Sequence, residues 1–113
     1  MVRDRSPCAL SVENRGDEAV IRFGGDSVEL DDQTAPAIQK ELFSLADQHG
    51  GRDLVMDFHN VTLLNSTGLE LLLGLRKRVL ATGGRLRLCN VGPFVAEVFQ
   101  ATQLADVFGL QTE

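Results

Sequence analysis

Residues 53–82 constrain this chain more than any other stretch. They run Asp53-Leu-Val-Met-Asp-Phe58, then His59-Asn-Val-Thr-Leu-Leu64, then Asn65-Ser66-Thr67-Gly68, then Leu69-Glu-Leu-Leu-Leu-Gly-Leu-Arg-Lys-Arg-Val-Leu-Ala-Thr82. A run of about six residues dense in Leu, Val, Met and Phe predicts a buried strand rather than a helical turn. Residues 59–64 read as a connector. Asn65 and Ser66 can each accept a hydrogen bond from the free N–H groups of a helix start, and Gly68 permits close packing there. Leu69, Leu72, Leu73, Val79 and Leu80 then recur at helical spacing, with Glu70 early and Arg76, Lys77 and Arg78 late, the charge order a helix dipole favours. The unit is strand, loop and helix, displaying one serine at the helix's positive end.

The flanking chain supplies the rest of an α/β pattern. Residues 1–7 are charged, end in Pro7 and are expected to be a flexible start to a domain covering 8–113. Alternation through Leu10 and Val12 predicts a strand over 8–13, Asn14-Arg-Gly-Asp17 a turn, and Ala19-Val-Ile-Arg-Phe23 a second strand closing a hairpin. Gly24-Gly25 ends it. Asp26-Ser-Val28 then reads either as a three-residue extension or as strand prolonged through a bulge. Ile38, Leu42 and Leu45, at i, i+4 and i+7, predict a helix over 34–48, with Asp31 and Asp32 before it, Pro36 in its first turn and Gly50-Gly51 after it. Gly83-Gly84 stops the central helix. Arg85-Leu-Arg-Leu-Cys89 alternates as a half-exposed strand, and Asn90-Val-Gly-Pro93 turns. Phe94, Val95, Val98 and Phe99 mark a short amphipathic helix, and Leu104, Val107, Phe108 and Leu110 a last apolar element. Strands alternating with helices after a hairpin imply a mostly parallel sheet with an antiparallel first strand at its edge.

Composition narrows the function classes. At 113 residues the chain has a single-domain length. A net charge of −5 and the absence of Trp and Tyr argue against a nucleic-acid face. No apolar run reaches the roughly 20 residues that span a bilayer, so membrane insertion is not expected. The start lacks a secretory h-region, which makes the cytoplasm the expected compartment. There the distant Cys8 and Cys89 are expected to stay reduced.

Catalysis finds little support in the residues. Leu64 stands where a Gly-x-Ser-x-Gly elbow needs its first glycine, so Ser66 is not a hydrolase nucleophile. His49 and His59 form no ligand spacing with Asp53 or Asp57, and no metal or other cofactor is expected. Asp57 reads as a strand-end hydrogen-bonding group. The Gly-Gly pairs read as turns and helix stops rather than phosphate loops. The basic cluster Arg76-Lys77-Arg78, with Arg85 and Arg87, reads first as solvated surface. Leu71 and Leu75 fall off the main apolar stripe. Either the helix is wedged between core layers, or it offers a patch beside Ser66.

Val55-Met-Asp-Phe, Val61 and Asn65-Ser66-Thr67-Gly68-Leu69 together resemble the signature of the STAS domain found in bacterial anti-sigma-factor antagonists. In that family an apolar strand ends near an Asp, followed by Asp-Ser-Ser/Thr-Gly-Leu and a Leu-rich helix. The resemblance covers roughly residues 8–110, including the Gly-Gly-Arg-Leu-Arg-Leu strand and the closing Leu-x-x-Val-Phe. It implies a small single-domain STAS fold, α/β, with a mixed, mostly parallel sheet, an antiparallel edge strand and helices packed on it. It also implies a non-enzymatic switch. The unphosphorylated protein would bind an anti-sigma factor serine kinase and so release a sigma factor. Phosphorylation of Ser66 would end that binding, and a phosphatase would reset it. Thr67 is the second candidate acceptor. The implied partner-binding set is Asn65, Ser66, Thr67, Gly68, Leu69, Leu71 and Leu75. The sequence departs from the family at Asn65, which keeps a capping oxygen but lacks the usual Asp charge. The fold also serves as an accessory subunit of lipid-transport ABC systems and as a scaffold in signalling complexes, which are the alternative roles. No motif speaks to oligomeric state.

Overall fold

The computed structural model describes residues 10–24, 27–104 and 107–108. The strand over 8–13 therefore begins, as described, at Leu10; Cys8, Gly25, Asp26, Leu110 and the expected flexible start lie outside the described residues. β1 (Leu10–Arg15) and β2 (Glu18–Phe23) form the expected hairpin, with Leu10 opposite Phe23 and Arg15 opposite Glu18. Gly16 holds the turn at φ 62°, a conformation that costs other residues strain. Arg52 clamps the turn from across the sheet, donating to the Asn14 side chain at 2.9 Å and to the Gly16 carbonyl at 2.6 Å.

The main sheet has the order β1-β2-β4-β6, with β4 (Asp53–Asp57) and β6 (Leu86–Cys89) parallel to β2. Period-two alternation divides its faces. Ala19, Ile21, Leu54, Met56, Leu86 and Leu88 point into the core with Ile38 and Leu42 of α1 (Ala35–Gln48) and Leu72 and Leu75 of α2 (Ser66–Ala81). On the other face Arg22 bridges Glu13 at 2.7 Å and Asp57 at 3.5 Å, and Arg87 lies 3.6 Å from Glu18. These are solvent-screened surface pairs that contribute little to stability.

One expectation needed correction. The segment expected to be a connector contains β5 (Val61–Leu64), which pairs in parallel with β3 (Val28–Leu30) to make a separate two-stranded sheet. Its register shifts between Val28 and Glu29, so the stretch after Gly25 holds a short irregular strand. The helix over 34–48 is present as α1, with Thr34 before it. Asp31 organises the entry: its carboxylate accepts the N–H groups of Gln33 and Thr34 at 3.0 and 3.1 Å. α3 (Pro93–Ala101) packs on β5, and the buried Phe99 meets Phe108 edge to face at 5.4 Å.

Gly83-Gly84 does more than stop a helix. Gly83 adopts φ 95°, and a Cβ on Gly84 would sit 2.1 Å from the Arg52 carbonyl oxygen, so β6 can enter the sheet only with glycine there. Gly84→Ala should lower unfolding free energy by about 1–3 kcal/mol in urea, the usual cost of overpacking. Gly92→Ala, where a Cβ meets nothing within 4 Å, should cost less.

Candidate functional site

The site is built where β3 ends and α2 begins. The Leu30 carbonyl accepts the Asn65 N–H at 3.1 Å, tying the two elements by their backbones. Asn65 is the N-cap of α2, its side-chain oxygen accepting the Gly68 N–H at 3.2 Å. Gly68 is buried against the same carbonyl: a Cβ there would lie 2.7 Å from the Leu30 oxygen and 2.6 Å from Leu64 Cδ1. Only glycine lets the helix approach this closely.

That contact fixes the rotational phase of α2. With Gly68 facing β3 and β5, positions i+3, i+4, i+7 and i+11 must face inward too. Leu71, Leu72, Leu75 and Val79 are accordingly buried. Leu71 and Leu75, included in the expected partner-binding set, are core residues at 3% and 0% exposure and offer no patch. Gly68 and Leu69 are buried as well. Leu73 and Leu80, expected on the core stripe, are instead exposed at 38% and 44%. The outward stripe is Ser66, Glu70, Leu73, Lys77 and Leu80, spaced i, i+4, i+7, i+11 and i+14.

Ser66 is the first residue of α2, exposed, and its hydroxyl makes no hydrogen bond among the described residues. The capping expected of Asn65 or Ser66 falls to Asn65 alone. The neighbouring Thr67 hydroxyl is engaged, donating to Asp32 Oδ1 at 2.6 Å, and Asn65 Nδ2 donates to the same oxygen at 3.2 Å. The Thr67 bond, then the Asn65 bond, hold the Asp32 carboxyl below the ordinary aspartate range. Asp32 was legible in the sequence only as a residue ahead of a helix. Nothing in the sequence marks its link across to Thr67.

The other titratable candidates do structural work. Burial raises the pKa of Asp57, but Asn90 Nδ2 at 3.1 Å, the His59 N–H at 2.9 Å and the Arg22 charge outweigh it, so the carboxyl lies low. It closes the end of β4, the strand-end role its position suggested. Cys89 is a free, half-buried thiol, its pKa pushed up by burial and by Asp57. Among the described residues no group of three or more His, Cys, Asp or Glu is placed to hold a metal ion, and no helix is long and apolar enough to cross a membrane.

A glycine-fitted helix start after a buried strand, presenting one free serine, is the arrangement of the STAS domain, which matches residues 9–113; the chain belongs to that family. It is 33% identical over 85 residues to the anti-sigma-B factor antagonist of Bacillus subtilis (strain 168), covering 75% of this chain and 76% of that one. The anti-sigma factor antagonist SpoIIAA in its unphosphorylated form superposes with a TM-score of 0.70 at 29% identity, covering 93% of this chain and 90% of that one. The phosphorylated form of SpoIIAA, described as a Bacillus cell fate determinant, gives a TM-score of 0.64 at 26% identity, covering 93% of each chain. These relatives are regulatory binding proteins rather than enzymes.

The Asn65–Asp32 contact yields a pH prediction. A carboxyl with a depressed folded pKa contributes stability above its unfolded pKa and loses it as pH falls through the folded one; Asp32 has that sign. In Asn65→Asp the amide donor becomes a second carboxylate facing Asp32 Oδ1, and the like charge raises the pKa. The variant should be less stable than wild type at neutral pH, and the gap should narrow on acidification as the pair takes up a proton. Urea unfolding at both pH values, with an NMR titration of Asp32, checks it. Separately, Asn65→Ala should cost about 0.5–2 kcal/mol through the lost cap.

Proposed function

We propose that this chain is an anti-sigma factor antagonist switched at Ser66. The observation that carries the reading is the free, exposed Ser66 hydroxyl on the first turn of α2, at the family's phosphorylated position. Unphosphorylated, the protein binds an anti-sigma factor that is also a serine kinase, and the sigma factor held by that kinase is released. The docking face comprises Ser66, the half-exposed Asn65 and Thr67, and the outward stripe below them, Glu70 and Leu73. Phe94, the most exposed large apolar side chain of the described residues at 76%, lies in the first turn of α3 and is a further apolar contact available to a partner.

Phosphorylation ends the complex by changing surface chemistry. The Ser66 oxygen attacks the γ-phosphorus of ATP, the bond to the β-phosphate oxygen breaks, ADP leaves, and the hydroxyl proton passes to a base on the kinase. A phosphatase returns serine and inorganic phosphate by hydrolysis. The helix N-terminus accommodates the phosphate without unfolding, because its dipole and free N–H groups favour an anion. The added charge of about −2 faces a partner surface that had met a neutral hydroxyl. Glu70, one turn further along α2, and the Asp32 carboxylate give that charge no compensation. Thr67 is the poorer acceptor, since its hydroxyl is already committed to Asp32 at 2.6 Å.

The test is calorimetric titration of the cognate anti-sigma kinase with wild type, Ser66→Ala, Ser66→Glu and Leu73→Glu. Ser66→Ala should bind as wild type yet take up no phosphate from ATP. Ser66→Glu and Leu73→Glu should each weaken binding by about tenfold or more, or at least ~1.4 kcal/mol. Equal binding by wild type and Ser66→Glu overturns the switch.

A further inference from the structure

The basic residues near the end of α2 do not form one solvated cluster. Arg78 turns towards α1, pairing with Asp47 at 3.1 Å and stacking 4.6 Å over the Phe43 ring. Arg76 turns the other way. It lines a cleft of about 300 Å³ with Leu80 from α2, Arg85, Leu86 and Arg87 from the β6 segment, and Val107 and Phe108. Three arginines thus line one apolar cleft in a chain of net charge −5, with the Arg87 guanidinium turned to the opposite sheet face near Glu18 and those of Arg76 and Arg85 left without a side-chain acceptor among the described residues. Leu80 and Val107 on that floor are exposed at 44% and 37%, above the buried Leu86 and Phe108.

From this geometry we infer a second binding site, separate from Ser66, for an extended acidic peptide segment of a protein partner that alternates carboxylate and aliphatic side chains. Three observations select that occupant. Arg76 and Arg85 have no side-chain acceptor among the described residues, and Arg87 has only the half-buried Glu18 at 3.6 Å. Guanidinium groups left without carboxylates fit a partner that brings them, in the planar two-pronged geometry arginine favours. The exposed Leu80 and Val107 between the charges favour aliphatic side chains, which a phosphate or other simple anion lacks. Finally, among the described residues β6 is the end strand of the sheet, the position at which an extended backbone can add.

A plainer role covers part of this. Charged side chains on an end strand deter edge-to-edge pairing, which accounts for Arg85 and Arg87. It does not account for Arg76 converging from α2, nor for the exposed aliphatic floor. The site lies 14 residues along α2 from Ser66 to Leu80, about 21 Å at ~1.5 Å per residue. It can therefore be occupied whatever the state of Ser66.

The experiment uses the full chain and a short fluorescein-labelled synthetic peptide alternating glutamate with leucine and valine. Binding is followed by anisotropy and mapped by amide NMR. Saturable binding is expected, with shifts at Arg76, Leu80 and residues 85–87, and it should weaken about tenfold or more in the Arg76→Glu/Arg85→Glu double variant. The milder Arg76→Gln/Arg85→Gln pair, with its fold checked by thermal melting, should weaken binding in the same direction. Ser66→Glu should leave peptide affinity unchanged. The inference is overturned by absence of saturable binding, by indifference to both double variants, or by equal binding of a lysine-for-glutamate peptide. It is equally overturned if inorganic phosphate or an all-glutamate peptide competes as well as the mixed peptide, which would mark a simple anion contact. Loss of self-association in the double variants with no effect on peptide binding would assign the face to a second copy of the chain and overturn it too.

Discussion

The structure depends on a single close contact between backbones, where the first turn of α2 presses through Gly68 onto the Leu30 carbonyl. That oxygen also takes the Asn65 N–H, so the end of β3 serves as both hydrogen-bond acceptor and steric stop for the helix. A Cβ at position 68 would occupy the space of the Leu30 oxygen and of Leu64. The approach sets three things together. It seats β3 and β5 beneath the helix start, it turns Leu71, Leu72, Leu75 and Val79 to the core, and it leaves Ser66, Glu70 and Leu73 facing out. The presentation of the serine is thus decided two residues away, by an atom that is absent.

Much of the fold is legible in the sequence because its periods are clean. The alternation in β2 and β6, the i, i+4, i+7 series of α1 and the Gly-Gly stops each specify one element. The rotation of α2 is not legible from hydrophobicity alone. Leu69, Leu71, Leu72, Leu73 and Leu75 point around most of the helix, and such a pattern has no unique inward face. The glycine carries the missing phase, and counting forward from it recovers the observed core. β5 escaped for a different reason. Val61-Thr-Leu-Leu64 is short, lacks alternation, and is a strand by virtue of pairing with β3 far away in sequence. The Asp32 link to Thr67 and Asn65 is likewise a long-range contact that no local pattern announces.

Electrostatically α2 is a rod with unlike ends. At its start the uncharged Ser66 sits near Asp32 and Glu70. Past its middle Arg76 and Arg78 diverge, one into the cleft it lines with Arg85, the other into the pair with Asp47. The order suits the helix dipole at the basic end, with Arg78 in the last turn. At the other end the dipole meets an uncharged asparagine cap. Asn65 can serve there because an aspartate would cap equally well but would face Asp32 with a second negative charge. The asparagine and the Asp32 link read as one adaptation: the amide that caps the helix also supplies a donor to the carboxylate beside it.

Position 66 and position 68 differ sharply in how freely they can vary. The glycine is bounded by carbonyl and methyl, so drift there is paid for by the whole domain. The exposed serine side chain makes no hydrogen bond among the described residues, so its replacement should leave the scaffold intact. Position 66 can therefore change in one codon without a compensating change elsewhere, whereas position 68 cannot. The outward chemistry of the helix start is thus free to vary while the architecture that displays it stays fixed.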